Sequence, residues 1–251
     1  MELILAWQNR VTRRWIPVAR IGRDDDGYWL RYTEGVADSQ ARSQALLAGL
    51  EDVDIEYRSN DIFPFLRNRI YNKRRGDVRR YLDWIGLDSE LSDDPLAELA
   101  ASGGPRATDS YELHPVPEPV AGQYLVSFFV HGPRYTGVVH GTEVEPQTGS
   151  RLYLQLDIQN EADPEAISLR FDDPKVLLGY LPRMLGGDIH RLLASNGQDG
   201  VRAYLAARND DAPLRMRYRC RIECAWPEGF RPFDAPEFRP LARVRSAAVV
   251  A

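Results

Sequence analysis

The chain has 251 residues and a mass of 28.5 kDa, with 43% apolar and 27% charged residues. This length and composition exclude a fibrous or wholly disordered chain and allow one large domain or two smaller ones. The net charge is −5, from 32 basic and 37 acidic residues, so a site for a polyanion would have to be a local patch. No run of about 18 apolar residues occurs, and the sequence predicts a soluble, cytoplasmic protein with no membrane partner.

The N-terminal part of the chain combines strand and helix patterns. Residues 1–36 resemble short strands and contain the turn sequence Asp24-Asp25-Asp26-Gly27, which predicts a hairpin. Three stretches with helical spacing follow, at 39–50, at 61–87 with Asp61 as the cap and Gly76 dividing it into two pieces, and at 88–101. In the last of them Asp94 is the expected cap and Pro95 occupies the first turn. These patterns predict a small α+β domain.

The second half of the chain is mostly β. Prolines and glycines crowd residues 102–121, which we interpret as a linker after an N-terminal domain at 1–101. Residues 122–226 contain a succession of apolar strand patterns, interrupted by one helix near 188–193. The tail at 227–251 has several prolines and no helical or strand-like periodicity of apolar residues, and is predicted to be extended or disordered. The fold class predicted for the whole chain is therefore α+β.

Nothing in the sequence has the spacing of a catalytic or metal-binding motif. The four histidines lie at 114, 131, 140 and 190, too scattered to form ligand pairs. The acidic runs at 24–26 and 172–173 could hold a hard cation, although such runs more commonly form turns. Cys220 and Cys224 lie on one face of a predicted strand and are expected to be buried free thiols. We therefore expect a protein that is not an enzyme and has no metal and no cofactor.

Basic residues are concentrated between positions 67 and 80, where Asp77 is the only acidic residue. The members of this predicted basic patch are Arg67, Lys73, Arg74, Arg75, Arg79 and Arg80. On a largely helical segment, such a density of charge would bind phosphates electrostatically. The alternative is a solvated face paired with the acidic residues at 51–56, and the sequence favours neither.

A second basic feature is the arginine stripe between positions 214 and 222. Its members are Arg215, Arg217, Arg219 and Arg221, which alternate with apolar residues. On a continuous strand all four guanidinium groups would lie on one face, opposite Met216, Tyr218 and Cys220. Successive arginines would be about 7 Å apart, a spacing suited to a phosphate backbone. The alternative is that carboxylates such as Asp157 or Glu223 neutralise them.

Three motifs follow one another between positions 129 and 183. They are Arg134-Tyr135 within VHGPRYTGVV, Asp157-x-x-Asn160-x-x-Asp163 before Ala166-Ile167, and Gly179-Tyr-Leu-Pro-Arg183 before a helix. Together they make residues 122–226 resemble the HIRAN domain. The resemblance implies a small β-barrel of OB-like or SH3-like character. It also implies binding of single-stranded DNA, including capture of its 3′ end.

The same resemblance implies a role for each motif residue. Arg134 would contact a phosphate, and Tyr135 would stack on a terminal nucleotide. Asn160 and Asp163 would form a polar pocket in which the Asp163 carboxylate accepts a hydrogen bond from a terminal hydroxyl. The alternative is that the tyrosines belong to the barrel core and that Asn160 and Asp163 shape a turn.

The resemblance places Tyr180 and Arg183 along the path of the nucleic-acid backbone. Two departures from the family pattern weaken the expected binding of ends. Ala162 stands where end-binding members carry an aromatic residue, and the loop 208–213 lacks the aromatic that caps the last base. Each lost stacking platform removes about 1 to 3 kcal/mol per base.

The stretch VARIGRDDDGYWLRYTEGV is similar to the small N-terminal β subdomain of HipA-type toxins. The two resemblances together imply a free-standing bacterial protein that binds single-stranded DNA or exposed DNA ends in genome surveillance or phage defence. The alternative is a protein-interaction subunit of a toxin-antitoxin or defence complex. In that case the arginine stripe would dock a partner nuclease, helicase or toxin.

Overall fold

The computed structural model of the protein describes residues 1–138, 144–160, 163, 165–172 and 175–241, and the backbone alone at 245–249. The chain forms two compact units. The discontinuous unit comprises Met1–Val116 together with Phe233–Ala251, and the barrel unit comprises Pro117–Pro232. Each contains a six-stranded sheet, and the predicted α+β fold class is confirmed.

The discontinuous unit is built on one sheet with strand order β12-β4-β3-β2-β1-β5. Its strands are β1 (Glu2–Gln8), β2 (Trp15–Asp24), β3 (Gly27–Tyr32), β4 (Ile55–Ser59), β5 (Tyr111–Pro115) and β12 (Arg245–Val249). Neighbouring strands are antiparallel except for β12 and β4, which are parallel. The predicted hairpin is confirmed, since Asp24 and Gly27 face each other across the turn between β2 and β3.

Four short helices accompany this sheet in the described part of the chain: α1 (Ser39–Gln44), α2 (Pro64–Arg67), α3 (Val78–Ile85) and α4 (Pro95–Ser102). The predicted cap of α4 is confirmed, because the Asp94 carboxylate accepts a 3.0 Å hydrogen bond from the Leu96 N–H. The segment predicted to be helical at 61–87, in two pieces divided at Gly76, does contain two helices, but Asp61 does not cap the first of them, whose N-cap is Phe63. Pro64 starts the short helix α2, and a loop separates it from α3. Leu66, Leu96 and Leu99 pack in the core against the sheet.

The predicted linker contains a strand of the sheet. Strand β5 lies within residues 102–121 and pairs with β1, with Leu113 opposite Leu5. Leu113 is buried in the core of the discontinuous unit. The prolines and glycines around it indicated irregular structure, but the apolar residue of the short strand stabilises pairing at the edge of the sheet.

The C-terminal tail is also ordered by packing. Phe233 and Phe238 are buried, and their rings lie 5.0 Å apart. Arg20 on β2 donates hydrogen bonds to the carbonyl oxygens of both residues, at 3.2 and 2.7 Å. The prediction of an extended or disordered tail is therefore wrong for these described residues. Burial of two aromatic rings and hydrogen bonds from a distant arginine order them, and neither produces a periodic pattern in the local sequence.

Glu98 on α4 is a buried carboxylate in the discontinuous unit. Its Oε1 atom accepts hydrogen bonds from the Tyr71 N–H at 2.6 Å and from the Tyr81 hydroxyl at 3.3 Å. Burial raises the pKa of Glu98, and these two hydrogen bonds oppose the shift. A raised pKa in the folded state means that Glu98 favours folding at low pH, and that this contribution is lost as the pH rises through the folded pKa.

We expect Glu98→Gln to remove this pH dependence, because the amide keeps an oxygen for the Tyr71 N–H and cannot ionise. The free energy of unfolding of the variant, relative to that of the wild type, should therefore increase as the pH rises. Urea denaturation of both proteins at about pH 4 and about pH 8 measures this difference. A difference that is the same at both pH values would show that the carboxylate has no raised pKa.

The barrel unit is built from a second sheet with strand order β6-β11-β10-β7-β8-β9. Its strands are β6 (Gln123–Phe129), β7 (Arg151–Leu156), β8 (Ile167–Phe171), β9 (Val176–Tyr180), β10 (Arg202–Arg208) and β11 (Tyr218–Ala225). The two edges of the sheet meet where His131, just after β6, exchanges two 2.9 Å backbone hydrogen bonds with Tyr180. The sheet thereby closes into a barrel, as predicted. Helix α5 (Arg183–Asn196) starts three residues after Tyr180.

Candidate nucleic-acid interface

A short 3-10 turn, Pro133–Tyr135, lies beside the point where the barrel closes. Pro133 and Thr136 are buried and anchor the turn, and the Thr136 hydroxyl donates a 2.8 Å hydrogen bond to the Pro133 carbonyl oxygen. Arg134 and Tyr135 therefore face outward. Tyr135 is 74% exposed, and the guanidinium carbon of Arg134 lies 4.7 Å from the centre of its ring. The alternative that Tyr135 belongs to the barrel core is wrong.

Tyr180 lies next to this turn. A Cβ atom built on Gly132 would be 3.7 Å from a ring carbon of Tyr135 and 3.7 Å from one of Tyr180, so the two rings flank Gly132. The Tyr180 hydroxyl donates a 2.8 Å hydrogen bond to Asp157. Burial and this carboxylate both raise the pKa of Tyr180. The phenol therefore stays neutral and holds one tyrosine ring in a fixed position beside the exposed one.

Asn160 and Asp163 each accept a backbone hydrogen bond through a side-chain oxygen, as residues that shape a turn do. The Asn160 Oδ1 atom accepts a hydrogen bond from the Asp163 N–H at 3.1 Å, and Asp163 Oδ1 accepts one from the Glu165 N–H at 3.2 Å. The turn also presents a carboxylate oxygen, because Asp163 Oδ2 lies 3.3 Å from Nε of Arg183. Ala162, one of the two departures from the family pattern, lies outside the described residues.

Six of the predicted residues thus lie around the closure of the barrel. After the role that we propose for it below, we call this cluster the end pocket: Arg134, Tyr135, Asn160, Asp163, Tyr180 and Arg183. The prediction omitted Asp157, which fixes Tyr180 and whose backbone carbonyl accepts a 3.0 Å hydrogen bond from the Asn160 N–H. Its position as the first residue of the Asp-x-x-Asn-x-x-Asp motif was the signal that could have identified it.

The arginine stripe is not one face of a strand. Leu214–Met216 forms a 3-10 turn after Pro213, and β11 begins only at Tyr218. Arg217 has helical backbone angles, with φ −69° and ψ −43°. The prediction is therefore wrong for Arg215 and Arg217, because the turn takes them out of the strand register. Arg219 and Arg221 do share one face of β11, opposite the buried residues Tyr218, Cys220 and Ile222.

The 3-10 turn that interrupts the stripe lies against the turn of the end pocket. Cα atoms of Leu214–Met216 and Pro133–Tyr135 approach within 8 Å. Arg215 is exposed in this turn, whereas Nε of Arg217 is buried without a hydrogen-bond partner among the described residues. The basic segment therefore begins next to the end pocket and continues along β11.

Most members of the predicted basic patch have partners within the discontinuous unit. The ion pairs are Arg67 with Asp61 at 3.6 Å, Lys73 with Asp93 at 2.7 Å and Arg75 with Asp77 at 3.0 Å, and Arg80 lies over the Trp84 ring. None of these three ion pairs involves residues 51–56, and Glu56 pairs with Arg31 and Arg58 instead. The patch is spread over helices α2 and α3 and the loop between them. Its remaining members, Arg74 and Arg79, form no ion pair with any residue that the structure describes.

The cysteines and the acidic turn are structural. Cys220 and Cys224 are buried free thiols, as predicted, and burial raises the pKa of Cys224 to about 11. Asp24 pairs with Arg58 at 2.7 Å. Over the part of the chain that the structure describes, no group of three His, Cys, Asp or Glu residues could hold a metal ion. Within those same residues, no helix is long and apolar enough to cross a membrane.

Comparison with known proteins supports the motif assignment. The HIRAN domain family model matches residues 123–227, which confirms the predicted HIRAN domain over less than half of the chain. HIRAN domains are a class of nucleic-acid-binding domains. The match lies entirely in the barrel unit, which contains the end pocket. No curated protein matches the chain.

Two solved structures are similar to this chain. One is the crystal structure of the HIRAN domain of human HLTF, at 15% identity and a TM-score of 0.31, covering 41% of this chain and 79% of that one. The other is the crystal structure of a protein from Lactobacillus plantarum, at 18% identity and a TM-score of 0.29. It covers 41% of this chain and 99% of that chain.

Proposed function

We propose that the protein binds nucleic acid through its HIRAN barrel and that the end pocket receives the end of a single strand. The observation that carries this proposal is the arrangement of Arg134 and Tyr135. A 74% exposed aromatic ring with a guanidinium group 4.7 Å from its centre offers a stacking face and a phosphate contact at one place. A second ring, Tyr180, flanks the same glycine.

The carboxylates behind these rings support a preference for a terminal hydroxyl. Asp163 and Asp157 are both acceptors, and a hydroxyl can donate a hydrogen bond to either of them. A terminal phosphate would instead bring further negative charge towards two carboxylates, at a cost in binding free energy. Arg183 pairs with Asp163 at 3.3 Å and is 31% exposed, so its guanidinium group can also reach a phosphate of the strand.

We expect Tyr135→Ala to weaken binding of a short single-stranded oligonucleotide by about 5- to 150-fold, the effect of losing one stacked base. Arg134→Ala should weaken it as well and reduce its salt dependence, because a phosphate contact is lost. Asp163→Asn should mainly remove the preference for a 3′ hydroxyl over a 3′ phosphate. Fluorescence anisotropy with matched oligonucleotides that differ only in this group measures all three effects.

The matched control is Arg42→Ala, which removes an exposed arginine from α1 in the discontinuous unit and should leave binding unchanged. Circular dichroism and thermal unfolding verify that each variant is folded. Equal affinity of the wild type for hydroxyl and phosphate ends would refute end recognition. Binding that no pocket substitution weakens would refute the pocket as the site.

The wider role that we propose for this binding is genome surveillance or phage defence in bacteria. This role rests on the HIRAN match and on the resemblance, in sequence alone, of the N-terminal hairpin to the small N-terminal β subdomain of HipA-type toxins. Sequencing of nucleic acid that copurifies with the wild type, but not with Tyr135→Ala, tests this role. Recovery of single-stranded or end-rich phage or damaged host DNA is the expected result.

A further inference from the structure

The outside of the barrel carries a row of four side chains that crosses four strands. Ser127 on β6 lies opposite Arg221 on β11, which lies opposite Tyr204 on β10, which in turn lies opposite Arg151 on β7. We call these four residues the outer row. The neighbouring residues Ile222, Ala203 and Leu152 are buried, so the alternation of each strand directs the outer row away from the barrel interior.

The outer row is cationic, and the nearest carboxylate in the strand register is Glu223, which shares the face of β11 with Arg221 and lies opposite Arg202 on β10. Arg221 forms no ion pair with any residue in the described ranges, and the same holds for the exposed Arg202 one row further along. The ion pair of Arg151 is with Asp199, at 3.9 Å, and both side chains are largely exposed. Burial and the positive charge of Arg221 lower the pKa of Arg219. Positive charges are therefore close together on this face of the barrel.

Aromatic rings alternate with the guanidinium groups. Neighbouring strands are about 4.8 Å apart, so Tyr204 lies between two arginines whose Cα atoms are about 10 Å from each other. Tyr153 on β7 adds a second ring, whose centre is 5.1 Å from the guanidinium carbon of Arg151. Guanidinium forks match phosphate oxygens, and tyrosine faces stack on any base. A phosphate backbone with bases is the partner that uses both groups.

The outer row is connected to the end pocket along β11. The 3-10 turn Leu214–Met216 lies beside the turn Pro133–Tyr135, and the strand that starts two residues later leads to Arg221. The distance from Tyr218 to Arg221 is about 10 Å along an extended strand. A single strand with its end in the pocket therefore has a short path to this face.

We propose that the outer row is a second contact surface for single-stranded nucleic acid, on which nucleotides that lie beyond the end pocket stack on Tyr204 while their phosphates contact Arg221 and Arg151. This inference rests on the proposed function and extends it from recognition of an end to recognition of the strand behind the end. It predicts that affinity depends on the length of the oligonucleotide.

The test compares two labelled oligothymidylates with free 3′ hydroxyls, one of about three nucleotides and one of about twelve, over a series of salt concentrations. The full chain is used throughout. In the variant R151Q/R221Q, the slope of log affinity against log salt should fall by about 1.4 for the longer oligonucleotide, or about 0.7 for each lost phosphate contact. Tyr204→Ala should weaken binding of the longer oligonucleotide by about 5- to 150-fold. Binding of the shorter one should be unchanged in both variants.

The matched control is R42Q/R231Q, which removes the same charge from two exposed positions outside the strands of the barrel. It should leave both slopes as in the wild type, and a slope reduced as much as in R151Q/R221Q would overturn the inference by showing a general effect of net charge. Wild-type behaviour of R151Q/R221Q and Tyr204→Ala, with short-strand binding still lost in Tyr135→Ala, would overturn the outer row and leave the end pocket intact. Failure of the wild type to bind either oligonucleotide would overturn both.

Discussion

Replacement of Gly179 by alanine is expected to destabilise the barrel unit by about 3 kcal/mol or more. Gly179 has φ +151°, a conformation that L side chains rarely adopt. An added Cβ would lie 2.4 Å from Cγ1 of Val130 and 2.6 Å from the carbonyl oxygen of His131. The carbonyl belongs to the backbone bridge that closes the barrel, so it cannot move without breaking the pairing of His131 with Tyr180.

The matched control for this prediction is Gly149→Ala. Gly149 also has a positive φ, of +88°, but an added Cβ would meet nothing within 4 Å. It should therefore cost only about 1 to 2 kcal/mol, the price of the backbone conformation alone. Urea denaturation measures the free energy of unfolding of each variant. If Gly179→Ala and Gly149→Ala lowered the free energy of unfolding equally, the two edges of the barrel would not be tightly packed at Gly179. The Gly179 variant should also bind oligonucleotides more weakly, because Tyr180 lies at the broken bridge.

The second large effect is expected for Arg69→Ala in the discontinuous unit. The Arg69 side chain is 1% exposed and pairs with Asp109 at 2.6 Å, and it donates a 2.7 Å hydrogen bond to the Gly104 carbonyl oxygen. Its guanidinium carbon lies 4.2 Å from the centre of the Phe65 ring. Burial lowers the pKa of Arg69, and Asp109 opposes the shift. Truncation removes the ion-pair partner of Asp109 and the side-chain donor to the Gly104 carbonyl, at a cost of about 3 to 5 kcal/mol.

Arg67→Ala is the control for Arg69→Ala, because it removes a neighbouring arginine with an exposed ion pair to Asp61 at 3.6 Å. Its effect on the free energy of unfolding should be below about 1 kcal/mol. Arg69→Lys keeps the charge but has no planar fork, so it should recover part of the loss. If Arg69→Ala proved as mild as Arg67→Ala in urea denaturation, the buried ion pair would contribute nothing to stability.

The strands of the barrel were predictable because their core residues recur at period two. In β11, for example, Tyr218, Cys220 and Ile222 are buried while the arginines between them are not. The same alternation misled the prediction just before the strand. A 3-10 turn follows Pro213 there. Met216 is buried in this turn, and it would also have been buried if the strand had continued. An alternating pattern specifies which residues are buried, but a short turn can satisfy it as well.

Long-range pairing explains most of the remaining differences. The ordering of Phe233 depends on a hydrogen bond from Arg20, more than two hundred residues earlier, and no local pattern encodes that contact. Strand β5 is likewise short and depends on β1 for its hydrogen bonds. In the end pocket, the motifs identified Asp163 and Tyr180, whereas the role of Asp157 required the position of the Tyr180 hydroxyl.

The discontinuous unit encloses the barrel in the sequence, and this has a consequence for the order of assembly during synthesis. The ribosome delivers the whole of Pro117–Pro232 before Arg245–Val249, so the barrel can fold while the other sheet still lacks its last strand. Folding of the barrel then brings its two ends together, because the Trp226 N–H donates a 2.9 Å hydrogen bond to the Gly122 carbonyl oxygen. Closing an unfolded loop of this length would cost about 4 kcal/mol of chain entropy. If the barrel folds first, its ends are already close together, and most of this entropy cost does not arise when β12 later pairs with β4.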